Sequence, residues 1–366
     1  VEWEKTARDT HANRLRSKWG YENAEDRVLR FDVQRTRELL EGWGDDPEYG
    51  SGRGLSNLIE KQGKGVDLVV GGPPCQAYSI AGRIRDENGM ENDYRNFLFE
   101  TYIKLVAHYR PRAIVFENVP GMLSARPGGV AIIERVRESF KEVGYSLIND
   151  IGRHAVLDAS EYGVPQNRKR LILFGIRNDS FEGDPQELLE DFYSRILPSF
   201  KVKKKMTVAE AILDLPKLVP NQNQKERAKF SHLPKSTDTL NHKPRFHSER
   251  DIRIFQELSL DGMRRERKYK KIDDLKELYT KVTGKVSNVH KYYVLEPQKQ
   301  SNTIVSHLHK DGLRHIHPDP EQGRSITVRE AARLQSFSDD FKFLGSTGDQ
   351  YKMVGNAVPP RFAKAI

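Results

Sequence analysis

The only cysteine of the sequence lies in its most chemically suggestive stretch, GGPPC, which ends at Cys75. An apolar run at residues 66–72 precedes it and predicts a buried strand, and ligands bind at the carboxyl ends of strands in open parallel sheets. Two glycines let a substrate approach the backbone, and two prolines stiffen the presentation of the next side chain. These features suit a nucleophilic thiol. An inert buried thiol is the alternative, and it is the commoner state of a lone cysteine.

A carboxylate and two arginines occupy comparable positions further along the chain. Glu117 ends the next predicted strand and would lie beside the cysteine loop if the two strands are neighbours. Burial that raised its pKa would let it act as a general acid. Arg168 and Arg170 precede a third strand, and on an extended chain both would point to one side and could grip a carbonyl or phosphate oxygen. Loop bracing by Glu117 and surface solubility of the arginines are the alternatives.

Two other clusters give weaker signals. The segment GNAVPP at residues 355–360 predicts a tight polar turn that could close over a small ligand. The pairs His307/His309 and His315/His317 have the alternate spacing of metal ligands on a strand, but no carboxylate or cysteine at matching spacing accompanies them. We therefore predict no metal site and expect these histidines to contact phosphate or to pack.

The elements that must position these residues alternate along the first half of the chain. Apolar runs predict strands at residues 66–72, 113–116 and 171–176. Apolar residues at helical spacing predict helices that begin near Leu98 and near Ile133. This rhythm predicts an α/β domain with a mostly parallel sheet covered on both faces.

The rhythm stops at about residue 177. The chain from there to about residue 323 is polar, basic and rich in Asn, Gln, His and Pro, and we expect it to form a second domain with an irregular fold. Capping boxes that begin at Thr207 and Thr327 each predict a helix, and the second helix would continue to Phe337.

Composition and charge limit the class of protein. The chain has 366 residues, of which 37% are apolar, so it can form two domains with a buried core. One cysteine excludes a disulfide framework, and no run approaches the roughly 20 apolar residues of a membrane span. We therefore expect a soluble protein of a reducing compartment.

The net charge of +9 is concentrated in one segment. Residues 201–271 contain 19 Lys/Arg and 9 Asp/Glu, which leaves 42 against 43 in the rest of the chain. Such a concentration favours a polyanionic partner such as nucleic acid. A solvated basic face is the alternative.

Five blocks in fixed order resemble those of the C5-cytosine DNA methyltransferases: GGPPCQAYS, FENVPGM, VPQNRKRLILFG, RSITVREAARLQSF and QYKMVGNAVPP. Together they are far more specific than any one block. The resemblance implies a Rossmann-like, S-adenosylmethionine-dependent methyltransferase domain at residues 1–185, completed by 345–366. It also implies a smaller, irregular domain at 186–344, and the basic segment 177–323 matches the family's target-recognition region.

The resemblance also assigns roles to single residues. Cys75 would attack C6 of a cytosine, and Glu117 would contact N3 and the exocyclic amine. Arg170 would hold O2, with Arg168 in support. Residues implied to bind S-adenosyl-L-methionine are Glu2, Trp3, Asp32, Val33, Leu98, Asn356 and Val358.

The implied reaction is methyl transfer to C5 of a cytosine that is flipped out of duplex DNA, after a thiolate has added at C6. Double-stranded DNA is the expected partner, with a cognate restriction endonuclease as a further one, and no membrane is involved. We expect a monomer in the cytoplasm of a prokaryote, associated with the nucleoid. Two alternatives stay open: a non-catalytic nucleic-acid-binding relative, and a tRNA cytosine-C5 methyltransferase, which the long basic segment disfavours.

The family's glycine-rich cofactor loop, of the form Phe-x-Gly-x-Gly, is not found in the sequence. The resemblance therefore implies that a strand and a loop of roughly 20–40 residues belong before Glu2. The sequence could be a fragment, another polypeptide or a permuted order could supply the piece, or cofactor binding could have been lost. We favour a fragment, because loss of a core strand would unfold the domain.

Overall fold

The computed structural model describes residues 1–73, 98–235, 237–286, 292–310 and 312–366. Cys75 lies outside the described residues. Contacts divide the chain into two compact units. The first unit comprises Val1–Asp158 and Lys169–Lys201, and the second comprises Ala159–Arg168 and Val202–Ile366.

This division differs from the predicted domains in three places. Ala159–Arg168 belong to the second unit, the rest of the second unit begins at Val202 rather than near residue 186, and residues 345–366 belong to the second unit instead of completing the first. The helix Thr347–Asn356 explains the last difference, because its Tyr351 and Val354 are buried in the main apolar core of the second unit.

The strands of the first unit form a small hairpin and a five-stranded sheet. In chain order they are β1 (Trp43–Asp46), β2 (Gly50–Gly52), β3 (Leu68–Gly71), β4 (Ala113–Asn118), β5 (Tyr145–Leu147), β6 (Val156–Asp158) and β7 (Lys169–Arg177). The sheet has the order β3–β4–β7–β5, and β6 also pairs with β7.

Only one pairing of this sheet is parallel among the described strands. β3 runs parallel to β4, whereas β7 is antiparallel to β4, β5 and β6. The predicted mostly parallel sheet is therefore wrong for the part of the chain described. The physical reason is the short connection at residues 159–168, which returns the chain beside β6 without a helical crossover.

The helices of the first unit are Lys5–Trp19, Ala24–Arg27, Thr36–Glu41, Leu55–Glu60, Leu98–Tyr109, Ile132–Glu142, Ile151–His154, Pro185–Asp191 and Leu197–Ser199. Among them, Ile132–Glu142, Ile151–His154 and Pro185–Asp191 contact strands of the sheet. The helices predicted near Leu98 and Ile133 are thus confirmed. Tyr102 and Phe140 from these two helices pack edge-on against Phe116 of β4, with ring centroids 5.4 and 6.2 Å away. Such buried aromatic pairs fix the end of β4.

Most of the regular secondary structure described in the second unit is helical. Its helices are Val208–Ile212, Gln224–Arg227, Glu249–Met263, Ile272–Thr283, Val328–Leu334, Thr347–Asn356 and Pro360–Ala365, and its short strands are β8 (Val219–Pro220) and β9 (His232–Leu233). The capping boxes at Thr207 and Thr327 are confirmed. The second helix ends at Leu334 and not at Phe337, because Ser336 adopts a left-handed conformation with φ of 65°.

The predicted irregular fold is only partly right for this unit. Within residues 177–323, the helices Glu249–Met263 and Ile272–Thr283 pack around an apolar cluster of their own. No helix in the described ranges combines the length and apolar character needed to cross a bilayer.

Candidate active site

Two neighbouring parallel strands bring the start of the cysteine loop beside Glu117. Gly71 at the end of β3 pairs with Phe116 of β4, so Gly72 leaves the sheet next to Glu117. A Cβ atom at residue 72 would lie 2.8 Å from Oε2 of Glu117. The predicted neighbourhood of Glu117 and the loop that leads to Cys75 is therefore confirmed as far as the described residues reach.

Asn118 holds the first residues of that loop in place. Its side chain is buried, and its amide donates a hydrogen bond to the carbonyl oxygen of Pro73 at 3.3 Å. The hydroxyl of Tyr102 donates to the carbonyl oxygens of Val69 and Val115 at 2.9 and 3.1 Å, which ties β3 to β4 just before the loop. Neither side chain was predicted to be functional from the sequence, although Asn118 stands next to Glu117 in one of the five recognised blocks.

Glu117 and Arg170 form an ion pair at this edge of the sheet. Nε of Arg170 lies 2.8 Å from Oε1 of Glu117, and the side chains are 13% and 20% exposed. Arg170 reaches this position from β7, the antiparallel neighbour of β4. The pair therefore presents a carboxylate acceptor beside guanidinium donors, which suits a planar partner that carries both kinds of group on one edge.

Arg168 has a different environment. β7 begins at Lys169, so Arg168 lies outside the strand, and the alternation that would aim both arginines to one side does not apply to it. Its guanidinium is buried and donates to the carbonyl oxygens of Ile304, Gly355 and Ala357 at 2.7, 3.0 and 3.1 Å. Its donors thus serve the second unit's own backbone, which does not favour the predicted contact with a substrate.

Two buried glutamines, which were not predicted to be functional from the sequence, join the same network in the second unit. Gln166 accepts a hydrogen bond from the Ile304 amide and donates to Gln335, at 2.8 and 3.1 Å. Gln335 in turn donates to the carbonyl oxygen of Val354 at 2.7 Å. Both glutamines occur in recognised sequence blocks, but only the fold shows that they meet.

The predicted cofactor residues near the N-terminus do come together in the first unit. Glu2 pairs with Arg30 in a parallel bridge, and the amide of Phe31 donates to the Glu2 carbonyl oxygen at 3.2 Å. Asp32 follows directly, and its Oδ1 accepts a hydrogen bond from the Gln34 amide at 2.9 Å. Val33 is half-buried beside it.

An aromatic hairpin that the sequence did not predict supports this cluster. Phe31 stacks on Trp43 of β1 with ring centroids 4.0 Å apart, and it also meets Tyr49. The carbonyl oxygen of Trp3 accepts a hydrogen bond from Nε of Arg30 at 3.3 Å, and its indole is 57% exposed. An exposed indole near half-buried carboxylates offers a stacking surface with hydrogen-bond acceptors beside it.

The remaining predicted cofactor residues lie on helix ends. Leu98 is the first residue of the helix Leu98–Tyr109 and is half-buried. Asn356 is the last residue of the helix Thr347–Asn356 and is exposed, and Val358 follows it half-buried. The predicted turn at residues 355–360 is therefore wrong at its start, because Gly355 and Asn356 continue the helix.

Comparison with known proteins identifies the family. The model of the C-5 cytosine-specific DNA methylases matches residues 55–366. The type II methyltransferase M.Bpa9945I of Bacillus paralicheniformis is 36% identical over 88% of this chain and 75% of its own length. The type II methyltransferase M.AgeI of Thalassovita gelatinovora is 31% identical over 82% of each chain.

A solved structure gives the same answer for the fold. The Dnmt2 methyltransferase of S. pombe matches 100% of this chain and 87% of its own with a TM-score of 0.51 at 14% identity. This likeness confirms the predicted α/β fold, while the family model and the type II relatives confirm the resemblance in the five blocks and the predicted enzyme class. The chain belongs to the C-5 cytosine-specific DNA methylase family.

Proposed function

We propose that the protein transfers a methyl group to C5 of a cytosine flipped out of a specific duplex DNA sequence, through a covalent bond between Cys75 and C6. The observation that supports this most is the Glu117–Arg170 ion pair at the edge of the sheet from which the cysteine loop leaves. A loop nucleophile and two polar helpers from neighbouring strands form the set of groups that activation of cytosine needs.

The proposed chemistry follows from the weak nucleophilicity of cytosine C5. The Cys75 thiolate adds to C6, and the electron pair displaced from the C5–C6 bond makes C5 enamine-like. After C5 has received the methyl group, a base removes the C5 proton and the electron pair expels the thiolate, which restores the ring. S-Adenosyl-L-methionine supplies the methyl group from its sulfonium.

Glu117 and Arg170 would act on the polar edge of the cytosine. The carboxylate accepts a hydrogen bond from the exocyclic amine and attracts a proton at N3, while the guanidinium donates to O2. Both contacts favour the charge redistribution that accompanies thiolate addition. Because neither C6 nor this edge is accessible in a stacked duplex, the base must leave the helix, at a cost of a few kcal/mol.

The residues near the N-terminus fit the adenosine part of the cofactor. The half-buried carboxylates of Glu2 and Asp32 suit the ribose hydroxyls and the adenine amine, and the exposed indole of Trp3 suits stacking on adenine. Oδ1 of Asp32 is oriented by the Gln34 amide, so its carboxylate is held in one direction. Val33, Leu98, Asn356 and Val358 remain predicted contributors.

Double-stranded DNA is the proposed partner, and the type II names of the relatives support a role beside a cognate restriction endonuclease. We further propose that the protein works as a monomer in the cytoplasm of a prokaryote, at the nucleoid. The excess of Lys and Arg over Asp and Glu at residues 201–271 supports contact with a polyanion.

The proposal is tested by methyl transfer from tritiated S-adenosylmethionine to plasmid DNA and to tRNA, followed by sequencing of the methylated cytosines. We expect label on duplex DNA at one sequence, and no label with Cys75→Ser, because a hydroxyl does not supply the thiolate. DNA binding by Cys75→Ser is the control for folding. Methylation that survives this substitution would refute the covalent route, and label on tRNA alone would refute DNA as the substrate.

A further inference from the structure

A strongly basic connection joins two packed helices of the second unit. The helices Glu249–Met263 and Ile272–Thr283 share an apolar cluster that includes Phe255 and Leu278. Residues 264–271 between them have the sequence RRERKYKK, with six Lys/Arg and one Glu, a net charge of +5. We call these residues the basic loop.

A buried carboxylate fixes the middle of the basic loop. Asp261, in the last turn of the first helix, is 2% exposed. One of its oxygens accepts a hydrogen bond from the Lys268 amide at 2.8 Å, and the other accepts one from the Tyr269 amide at 3.0 Å. Nη1 of Arg264 lies 3.4 Å from the same carboxylate.

A second carboxylate fixes the end of the basic loop. Oδ2 of Asp274, in the first turn of the second helix, accepts hydrogen bonds from the amides of Lys270 and Lys271 at 2.9 and 2.8 Å. Four consecutive backbone amides, 268–271, are thus bound by two acidic side chains. The ring of Tyr269 also packs against the apolar cluster between the helices.

This arrangement holds the backbone that carries the basic side chains in one conformation. The side chains of Arg265, Lys268, Lys270 and Lys271 are exposed. Burial of a carboxylate such as Asp261 is costly unless hydrogen bonds satisfy it, and here they come from the backbone of the basic loop. A charge run that only kept the protein soluble would not require a backbone held in this way.

We propose that the basic loop binds the phosphate backbone of duplex DNA, and that Asp261 is a positioning residue that holds it in its binding shape. The inference rests on the proposed function only in taking DNA as the partner. Cations on a rigid backbone lose less freedom on binding a regular array of phosphates than cations on a flexible one. Because phosphate contacts carry no sequence information, the basic loop should contribute equally on target and non-target DNA.

The test is the salt dependence of DNA binding by the whole protein, measured with duplexes that do and do not contain the methylated sequence. Arg265→Gln and Lys270→Gln should each reduce the slope of log K against log salt by about 0.9, because one fewer counterion is released. Lys281→Gln is the matched control: Lys281 is an exposed lysine on the second helix, ten residues or about 15 Å along the axis from Lys271. It should leave the slope unchanged.

The positioning role of Asp261 is tested separately, by the affinity for DNA rather than by its salt dependence. Asp261→Asn should weaken DNA binding roughly tenfold at every salt concentration. The slope of log K against log salt should not change, since the cations remain and only the fixed conformation of their backbone is lost. Asp274→Asn, at a less buried position, repeats the measurement with less risk to folding and should give a smaller loss in the same direction. A change of slope in either variant, or full affinity in both, would overturn the role of Asp261.

The outcomes separate the two proposals. If the wild-type protein methylates DNA but Arg265→Gln and Lys270→Gln behave like Lys281→Gln, the inference about the basic loop fails alone. If the slopes change as expected but no methyl group reaches duplex DNA, the proposed function fails alone. Displacement of DNA by polyglutamate at equal charge concentration would show that the basic loop takes acidic protein instead, and would also overturn the inference.

Discussion

At the scale of single residues, two arginines separated by one position have unlike environments. Arg170 contacts Glu117 at a partly exposed edge, whereas Arg168 is buried among backbone carbonyl groups. The resemblance in the sequence blocks implied that Glu117 and Arg170 act on the same cytosine, but it did not predict that they pair with each other, since that contact depends on β4 and β7 being neighbouring strands. The blocks could not predict the burial of Arg168, because its acceptors at Ile304 and Gly355 lie far along the chain.

This difference predicts that Arg168 matters for stability. Arg168→Met should lower the free energy of unfolding by about 2–4 kcal/mol, because three buried carbonyl oxygens lose a charged donor while the methionine keeps most of the apolar contact. Urea unfolding followed by circular dichroism measures the change. The exposed neighbour Lys169 provides the control, and Lys169→Met should change stability by no more than about 0.5 kcal/mol. Equal effects of the two substitutions would contradict the structural role of Arg168.

At the scale of elements, the sequence predicted what depends on local chemistry. The capping boxes at Thr207 and Thr327 need only residues three positions apart, and both helices begin where predicted. The direction of the strands was not predictable in the same way, since β7 is oriented by pairing with β4, β5 and β6 and not by its own residues. The helical state of Gly355 likewise depends on what packs against it.

That packing makes Gly355 the position at which the helix Thr347–Asn356 is most sensitive to change. A Cβ atom there would lie 2.4 Å from both the Ser306 nitrogen and the Val305 carbonyl carbon, so backbone would have to move. Gly355→Ala should therefore cost about 1–3 kcal/mol of stability. It should also raise the KM for S-adenosylmethionine severalfold, because the predicted cofactor residues Asn356 and Val358 lie one and three positions further along the chain.

Gly348 in the same helix is the matched control. A Cβ atom there would have only ordinary contact, 3.6 Å from the Ser346 hydroxyl oxygen. Since alanine is up to about 1 kcal/mol more favourable than glycine in a helix, Gly348→Ala should be neutral or stabilising and leave the KM unchanged. A Gly355→Ala protein as stable as Gly348→Ala would contradict the packing argument, and an unchanged KM would separate the helix end from cofactor binding.

At the scale of the whole molecule, the two units differ in their buried polar chemistry. In the second unit Arg324 forms a bidentate ion pair with Glu330, at 2.7 Å for both hydrogen bonds, and both side chains are buried. Burial lowers the pKa of His232 and His317 to about 4 and that of His247 to about 3. These histidines are therefore neutral in the folded state well below the pH at which an unfolded histidine gains a proton.

Other titratable groups contribute less to the difference in acid sensitivity between the two units. Burial acts to raise the pKa of Glu330, but the neighbouring Arg324 outweighs it and holds that pKa below its usual value. In the first unit the pKa of His11 is lowered by partial desolvation and by the N-terminal charge, but solvent screens the effect because the side chain lies at the surface. Acid should therefore destabilise the second unit more than the first.

The direction in which the stability of the second unit changes with pH follows from proton binding. Below about pH 6.5 the unfolded chain binds protons at His232, His247 and His317, whereas the folded unit does not bind them until about pH 4 or lower. The free energy of unfolding therefore falls as the pH falls through this range. Each histidine contributes up to about 1.4 kcal/mol per pH unit. Between pH 7 and pH 5 we expect a loss of several kcal/mol in the second unit.

The placement of tryptophan makes this loss measurable in the intact protein. The chain has three tryptophans, Trp3, Trp19 and Trp43, and all lie in the first unit, so their fluorescence reports on that unit alone, while far-UV circular dichroism reports helices of both. At pH 5 the urea midpoint from circular dichroism should fall further than the midpoint from fluorescence. His317→Gln should reduce this shift, since one of the histidines that gain a proton on unfolding is removed. Midpoints that fall together by the same amount would mean that the buried histidines do not set the acid sensitivity of one unit.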